Sequence, residues 1–269
     1  MVFQTYLPDV KIITPIRDNK LSREFEIEYL KNAGLEWESE KSIYSVNQGL
    51  WGTSIGGKET LTSHQSLPEE AYPYPISNQK PLSIDIIFKK GEPISLNDKS
   101  YDNVVNLIED LNAIGNDYGI GRGMHVGDTI IGIKGRVAFQ AAAAIILLSA
   151  HELLEKHTLS KHQIHWKKQL ADWYGMMIHE GNYMEPTMRW IEQLLVTSQE
   201  HVSGTVHITL YPQRVHLAGI TSENDLMSTG SGVYGEMNNA WTSEDAKGFI
   251  KMLSIPYMNY YQLHPEEKL

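Results

Sequence analysis

The order of periodic segments predicts an α+β chain. Three observations carry that expectation. Strand-like runs cluster in pairs, at Ser83–Leu96 and again at residues 205–220. Three consecutive helical segments lie between them, from Ala141 to about Val202. A strand-length apolar run followed by an amphipathic helix opens the chain, as a unit of a parallel α/β sheet would.

Taken in order, VKIITPI (Val10–Ile16) reads as a strand and LSREFEIEYLKNAG as a helix. Ser22 is placed as its N-cap, with acidic residues in its first turns and Gly34 at its C-terminal stop. One parallel-type strand needs neighbours, so this unit implies companion strands from elsewhere. Residues 35–80 read as irregular, broken by Pro68, Pro73 and Pro75. SIDIIFKKGEPISL reads as two strands around Gly91. Asn103–Gly115 reads as a helix with Val104, Leu107, Ile108, Leu111 and Ile114 on one face, and Asp128–Phe139 as a strand. The helix Ala141–His157 opens apolar on every side and is expected to be buried. The next helix starts at the capping box Ser160–Gln163 and ends near Gly181; the third starts at Pro186. Its inner face carries Met188, Ile191, Leu195, Ser198 and Val202. Residues 205–220 form a hairpin in which Val206, Ile208 and Leu210 alternate with polar residues. A last helix is capped by Ser243 and interrupted by Pro256, and an aromatic tail with Met258, Tyr260 and Tyr261 suits docking on a second subunit.

Composition bounds the function. The chain of 269 residues has a net charge of -10, which argues against broad nucleic-acid binding. It has no cysteine, which excludes disulfides, thiolate metal sites and a cysteine nucleophile and suits a reducing cytoplasm. The longest apolar run, Ala141–Ala150, is too short to span a bilayer. HELLEKH places Glu155 where a zinc HExxH helix needs its second histidine, so no metal site is expected. There is no phosphate loop of the GxxxxGK[ST] type and no GxSxG elbow, and Gly119–Gly123 follows a helix rather than a strand, the wrong context for a dinucleotide fingerprint.

YSVNQGLWGTSIGGKET (Tyr44–Thr60) holds Ser45 and Ser54 in a Gly-, Thr- and Asn-rich setting. Hydroxyls that donate and accept, beside glycines that bare their N–H groups, suit a carboxylate or ureido-like ligand; the same composition also suits a surface loop.

Read together, KIITPIRD…SREFEIEYLKNAG, YSVNQGLWGTSIGG, YGIGRGMHVGDTIIGIKGR, AAAAIILLSAHELLEKHTL, VSGTVHITLYPQRVHLAGI and DAKGFIKM resemble, in order and spacing, the C-terminal two thirds of argininosuccinate synthase. The resemblance implies a synthetase (citrulline-binding) domain over 37–254, a remnant strand–helix unit of the nucleotide-binding domain over 1–36 and an oligomerisation tail over 255–269. It implies ATP-dependent joining of citrulline to aspartate in arginine biosynthesis, through a citrullyl-adenylate with release of pyrophosphate and AMP. It implies ATP with Mg as cofactors of the complete enzyme, with no ATP loop in this chain, and a cytoplasmic homotetramer. Ser45 and Ser54 match the serines that bind citrulline in that family. Gly127 and Phe139 stand where the family has a citrulline-contacting glutamate and tyrosine. Losing the glutamate leaves three alternatives: a degenerate site, Asp128 in its place by a register shift, or an N-acetyl- or N-succinyl-citrulline whose acyl group uses the room at Gly127. In the last case Arg122, Lys134 or Arg136 is expected to meet the acyl carboxylate. The competing expectation is a non-catalytic binding or assembly module.

Overall fold

The computed structural model describes residues 2–35, 44–229 and 240–268. They form two compact units, Met1–Asn224 and Asp225–Leu269. The boundary expected at residue 36 lies outside the described residues. The observed class is α+β, with two antiparallel sheets.

The N-terminal segment departs from expectation. Val10–Ile16 is not a strand: three helices, α1 (Val2–Tyr6), α2 (Pro15–Asp18) and α3 (Arg23–Asn32), account for its regular structure. A parallel strand draws its stability from ladder bonds on both sides and burial on both faces. Here Ile12 and Ile13 are exposed, and the run has no strand partner among the described residues. Pro15 instead starts a helical turn, as its fixed φ allows. Helix α3 forms as expected, with the Ser22 hydroxyl accepting the Phe25 N–H and Gly34 at φ 78° after it.

The main core lies between a five-stranded sheet and two helices. The strands are β3 (Leu82–Lys89), β4 (Glu92–Leu96), β5 (Lys99–Ser100), β8 (Gly204–Tyr211) and β9 (Arg214–Thr221), in the order β5-β4-β3-β8-β9. Alternation sends Ile84, Ile86 and Phe88 of β3 and Val206, Ile208 and Leu210 of β8 to one face. Against them pack Leu107, Ile108 and Leu111 of α4 (Val104–Asp117) and Ile146, Ala150 and Leu154 of α5 (Ala142–Thr158). Two details differ from the sequence reading. Val104 is exposed, and α5 is not buried all round: Ile145 and Leu148 face outward. Helices α6 (Lys161–His179) and α7 (Thr187–Ser198) follow, α6 with the expected Ser160–Gln163 capping box.

The second sheet has the order β1-β2-β7-β6. Its strands are β1 (Tyr44–Gly49), β2 (Gly52–Gly57), β6 (Arg122–Asp128) and β7 (Lys134–Gln140). The opening part of the segment expected to be irregular is thus a hairpin. Its partner, β7, lies about eighty residues away in sequence, so local composition could not reveal the ladder. The expected strand Asp128–Phe139 is split by a turn, in which Gly132 takes φ 80° and the Thr129 hydroxyl accepts the Ile133 N–H.

In the second unit, α8 runs from Ser243 to Leu263 straight through Pro256, across the expected 254–255 boundary. The proline removes one N–H that Met252 would accept, and Met252 is exposed, so water can serve its carbonyl. The cap is Thr242, not Ser243: its hydroxyl accepts the Asp245 N–H while the Asp245 carboxylate accepts from the Thr242 N–H.

Candidate functional site

The register of the β1-β2-β7-β6 sheet decides where each candidate points. Side chains of cross-strand partners share a face. Ser45 pairs with Gly56, Asn47 with Ser54, Ser54 with Phe139, Phe139 with Gly123, and Gly135 with Gly127. Ser45, Asn47, Ser54, Phe139 and Gly127 therefore lie on one face, together with Val137 and His125. Ser45 and Ser54 are diagonal neighbours, a relation that sets such residues roughly 7–8 Å apart. Neither hydroxyl has a hydrogen-bond partner among the described residues. The floor is made of glycines; a Cβ at Gly56, Gly123 or Gly135 would meet nothing within 4 Å.

The other face is closed. Ile55 and Ala138 are buried there against Leu67 and Ala71, with Tyr44, Tyr72 and Met124 at the margin. The Tyr44 hydroxyl donates to Glu59 at 2.8 Å, and that bond to a carboxylate raises its pKa. Arg122, Lys134 and Arg136 lie on this side of the sheet, opposite the serines, with Lys134 exposed at the hairpin end beyond the covered part. Arg122 grips Glu69 with Nη1 at 2.7 and 2.8 Å, donates to the Tyr74 carbonyl and stacks on Tyr72, and its bonds hold the Glu69 carboxyl below the usual range. Arg136 donates to the carbonyls of Glu59 and Thr62, and Lys134 pairs with Asp128. All three lie on the face opposite the serines: Arg122 and Arg136 hold the 58–80 segment, and Lys134 meets Asp128 at the exposed hairpin end. Asp128 shares their face, so it does not replace the missing glutamate.

The serine hairpin is seated on the core. Asn112 of α4 donates to the Leu50 carbonyl at 2.8 Å and accepts the Ala143 N–H at 2.9 Å. It joins the β1–β2 turn to the start of α5, whose N-cap Ala141 offers no side-chain acceptor. Gly121 makes the matching approach from below: its φ is 74°, and a Cβ there would lie 2.5 Å from the Ala141 carbonyl carbon and oxygen.

The arrangement belongs with a known family. The model for the arginosuccinate synthase C-terminal domain matches residues 44–260. The chain belongs to the argininosuccinate synthase family. It is 37% identical over 250 residues to argininosuccinate synthase of Dictyoglomus thermophilum, covering 92% of this chain and 62% of that protein. The enzyme of Oceanobacillus iheyensis is 34% identical over 259 residues, with 94% and 62% covered. That of Methanocaldococcus jannaschii is 34% identical over 224 residues, with 82% and 56% covered. The chain thus spans about 62% or less of the length of these argininosuccinate synthases.

Against the sites that resemblance to argininosuccinate synthase implies, the structure brings Ser45, Ser54, Gly127 and Phe139 to one face and leaves the three cations on the other. Asn47 and His125 were missed by sequence reasoning. Counting by twos from Ser45 and from Gly127 would have found both, given the strand assignments. Among the described residues one cluster of three possible metal ligands occurs, His264, Glu266 and Glu267, and two of these are exposed. A cleft of about 420 Å³ beside α5, α6 and α7 is lined by His151, Lys167 and Gln199. There Glu155 accepts from Lys167 and Gln199, and Gln199 accepts from His151, so the polar groups are spent on one another. Among the described residues no helix is long and apolar enough to cross a membrane.

Proposed function

We propose that this chain supplies the citrulline-binding part of an argininosuccinate synthase, a carbon–nitrogen ligase of arginine biosynthesis. The substrates are citrulline, or an N-acylated citrulline, and aspartate, with ATP consumed to AMP and pyrophosphate. One observation carries the reading: two unpartnered hydroxyls, Ser45 and Ser54, stand as diagonal neighbours on the open, glycine-floored face of a sheet. Hydroxyls orient a neutral ureido group without neutralising it, and orientation is what a weak ureido nucleophile needs most. Nucleotide chemistry is assigned to residues outside this sheet. Residues 1–36 are assigned to the nucleotide-binding portion, 37–254 to the synthetase portion and 255–269 to assembly, in a cytoplasmic homotetramer.

Titration calorimetry with citrulline and N-acetylcitrulline tests the reading. Ser45→Ala and Ser54→Ala are each expected to weaken binding about 2- to 12-fold, the worth of one neutral hydrogen bond of about 0.5–1.5 kcal/mol. Binding indifferent to both substitutions, or no binding of either compound, refutes it. A non-catalytic assembly module is the competing reading, favoured by α8, whose Phe249, Met252, Tyr257 and Met258 are exposed. Citrulline binding that depends on the serines, with pyrophosphate release by the complete polypeptide, decides for the enzyme.

A further inference from the structure

The open sheet face carries an imidazole that no expectation assigned. Of the side chains that β1, β2, β6 and β7 place on it, Ser45, Asn47, Ser54, Val137, Phe139 and His125, only the last is an imidazole, and these strands put no carboxylate there. Its position is specific. A Cβ on Gly127 would come within 3.1 Å of His125 Nε2, so the bare glycine is what lets the ring lie over that spot. The ring meets Phe139 edge-on, with centroids 6.0 Å apart and planes at 67°. His125 is exposed, and its ring nitrogens have no hydrogen-bond partner among the described residues.

An imidazole carries at least one N–H in either protonation state, so it can always donate to an oxygen acceptor. A ligand ammonium fares worse on this face. It only donates, so it has at most the ring's one lone pair to donate to, and it would find no carboxylate on these strands. Strands lie about 4.8 Å apart, so β6 is roughly 10 Å from β2 across the sheet. An extended acylated amino acid held at its ureido end by the serines spans that distance.

We infer that His125 is a specificity-determining residue of this face, reading an acyl oxygen on the ligand's α-nitrogen and thereby selecting an N-acylated ureido amino acid over one with a free α-ammonium. The inference rests on the ureido-binding reading of Ser45 and Ser54.

The test uses the whole 269-residue chain, with backbone amides and histidine side chains isotopically labelled, titrated with citrulline, N-acetylcitrulline and N-succinylcitrulline. The acylated compounds are expected to bind about tenfold more tightly than citrulline and to shift both the Ser45 and Ser54 amides and the His125 ring resonances. His125→Ala, checked for folding by circular dichroism, should bring that preference close to unity. His125→Gln, which keeps an N–H donor, should retain part of it. Gly127→Glu, which displaces the ring and adds a carboxylate, should reverse it. A preference unchanged in His125→Ala, or a wild-type preference for plain citrulline, overturns the inference; if the serine amides still respond, the ureido reading survives alone. Serine amides silent to all three compounds overturn both.

Discussion

Asn112 ties the β1–β2 turn of the serine hairpin to the start of α5. In Asn112→Ala two bonds vanish, to the Leu50 carbonyl and from the Ala143 N–H. They are not equal. Leu50 is 39% exposed, so its carbonyl is taken up by water and costs about 0.5 kcal/mol. Ala143 is fully buried at the first turn of a helix that lacks a local cap, so its N–H is left unsatisfied, costing about 1–3 kcal/mol. The expected loss is about 1.5–3.5 kcal/mol, or a fall in Tm of about 3–14 °C for a chain of this size. Asn112→Asp separates the two bonds. The carboxylate still accepts the Ala143 N–H, now at a helix N-terminus that favours negative charge, but it can no longer donate to Leu50. It should therefore recover most of the stability while the β1–β2 turn exchanges its amide protons faster. Thermal and urea denaturation give the first quantity, and hydrogen exchange across residues 44–57 gives the second. Asn112→Ala within about 0.5 kcal/mol of the parent, or Asn112→Asp as damaging as Asn112→Ala, would refute the cap assignment.

Other expectations follow from the same packing. Gly121→Ala puts a methyl 2.5 Å from the Ala141 backbone at a left-handed φ, and urea denaturation should show a loss of about 2–4 kcal/mol; a loss below about 1 kcal/mol would mean that the two segments part easily. Glu155→Ala strands the Lys167 ammonium in a largely buried setting and should cost about 3 kcal/mol, with Glu155→Ala/Lys167→Met costing less than the single change. Burial holds the pKa of His151 below the ordinary imidazole value. The unfolded chain thus takes up that proton first, so stability is full above about pH 6.5 and falls as pH drops through that value; His151→Gln should flatten this slope in denaturation curves measured between pH 7.5 and 5.5.

Where the chain's own spacing controlled the outcome, the elements were legible. Alternation at Val206, Ile208 and Leu210 gave β8, and the Ser160–Gln163 box gave the start of α6, because each depends on residues within a few positions. Val10–Ile16 failed because an apolar run is a strand only when a neighbour completes its ladder. Pro256 failed as a break because an exposed helix can leave one carbonyl to water.

The residues by themselves determined the family, since an ordered series of motifs survives without any knowledge of distance, and they put Ser45 and Ser54 forward as candidates. Only the tertiary structure decided which side chains share a face. Arg122, Lys134 and Arg136 are near Gly127 in sequence, yet the pleat turns them toward the closed side, while His125, two residues from Gly127, turns with it toward the open one. The physical reason is that a strand's side chains alternate with period two, and which of the two sides stays open is set by packing from distant segments: 58–80 covers one side and leaves the other.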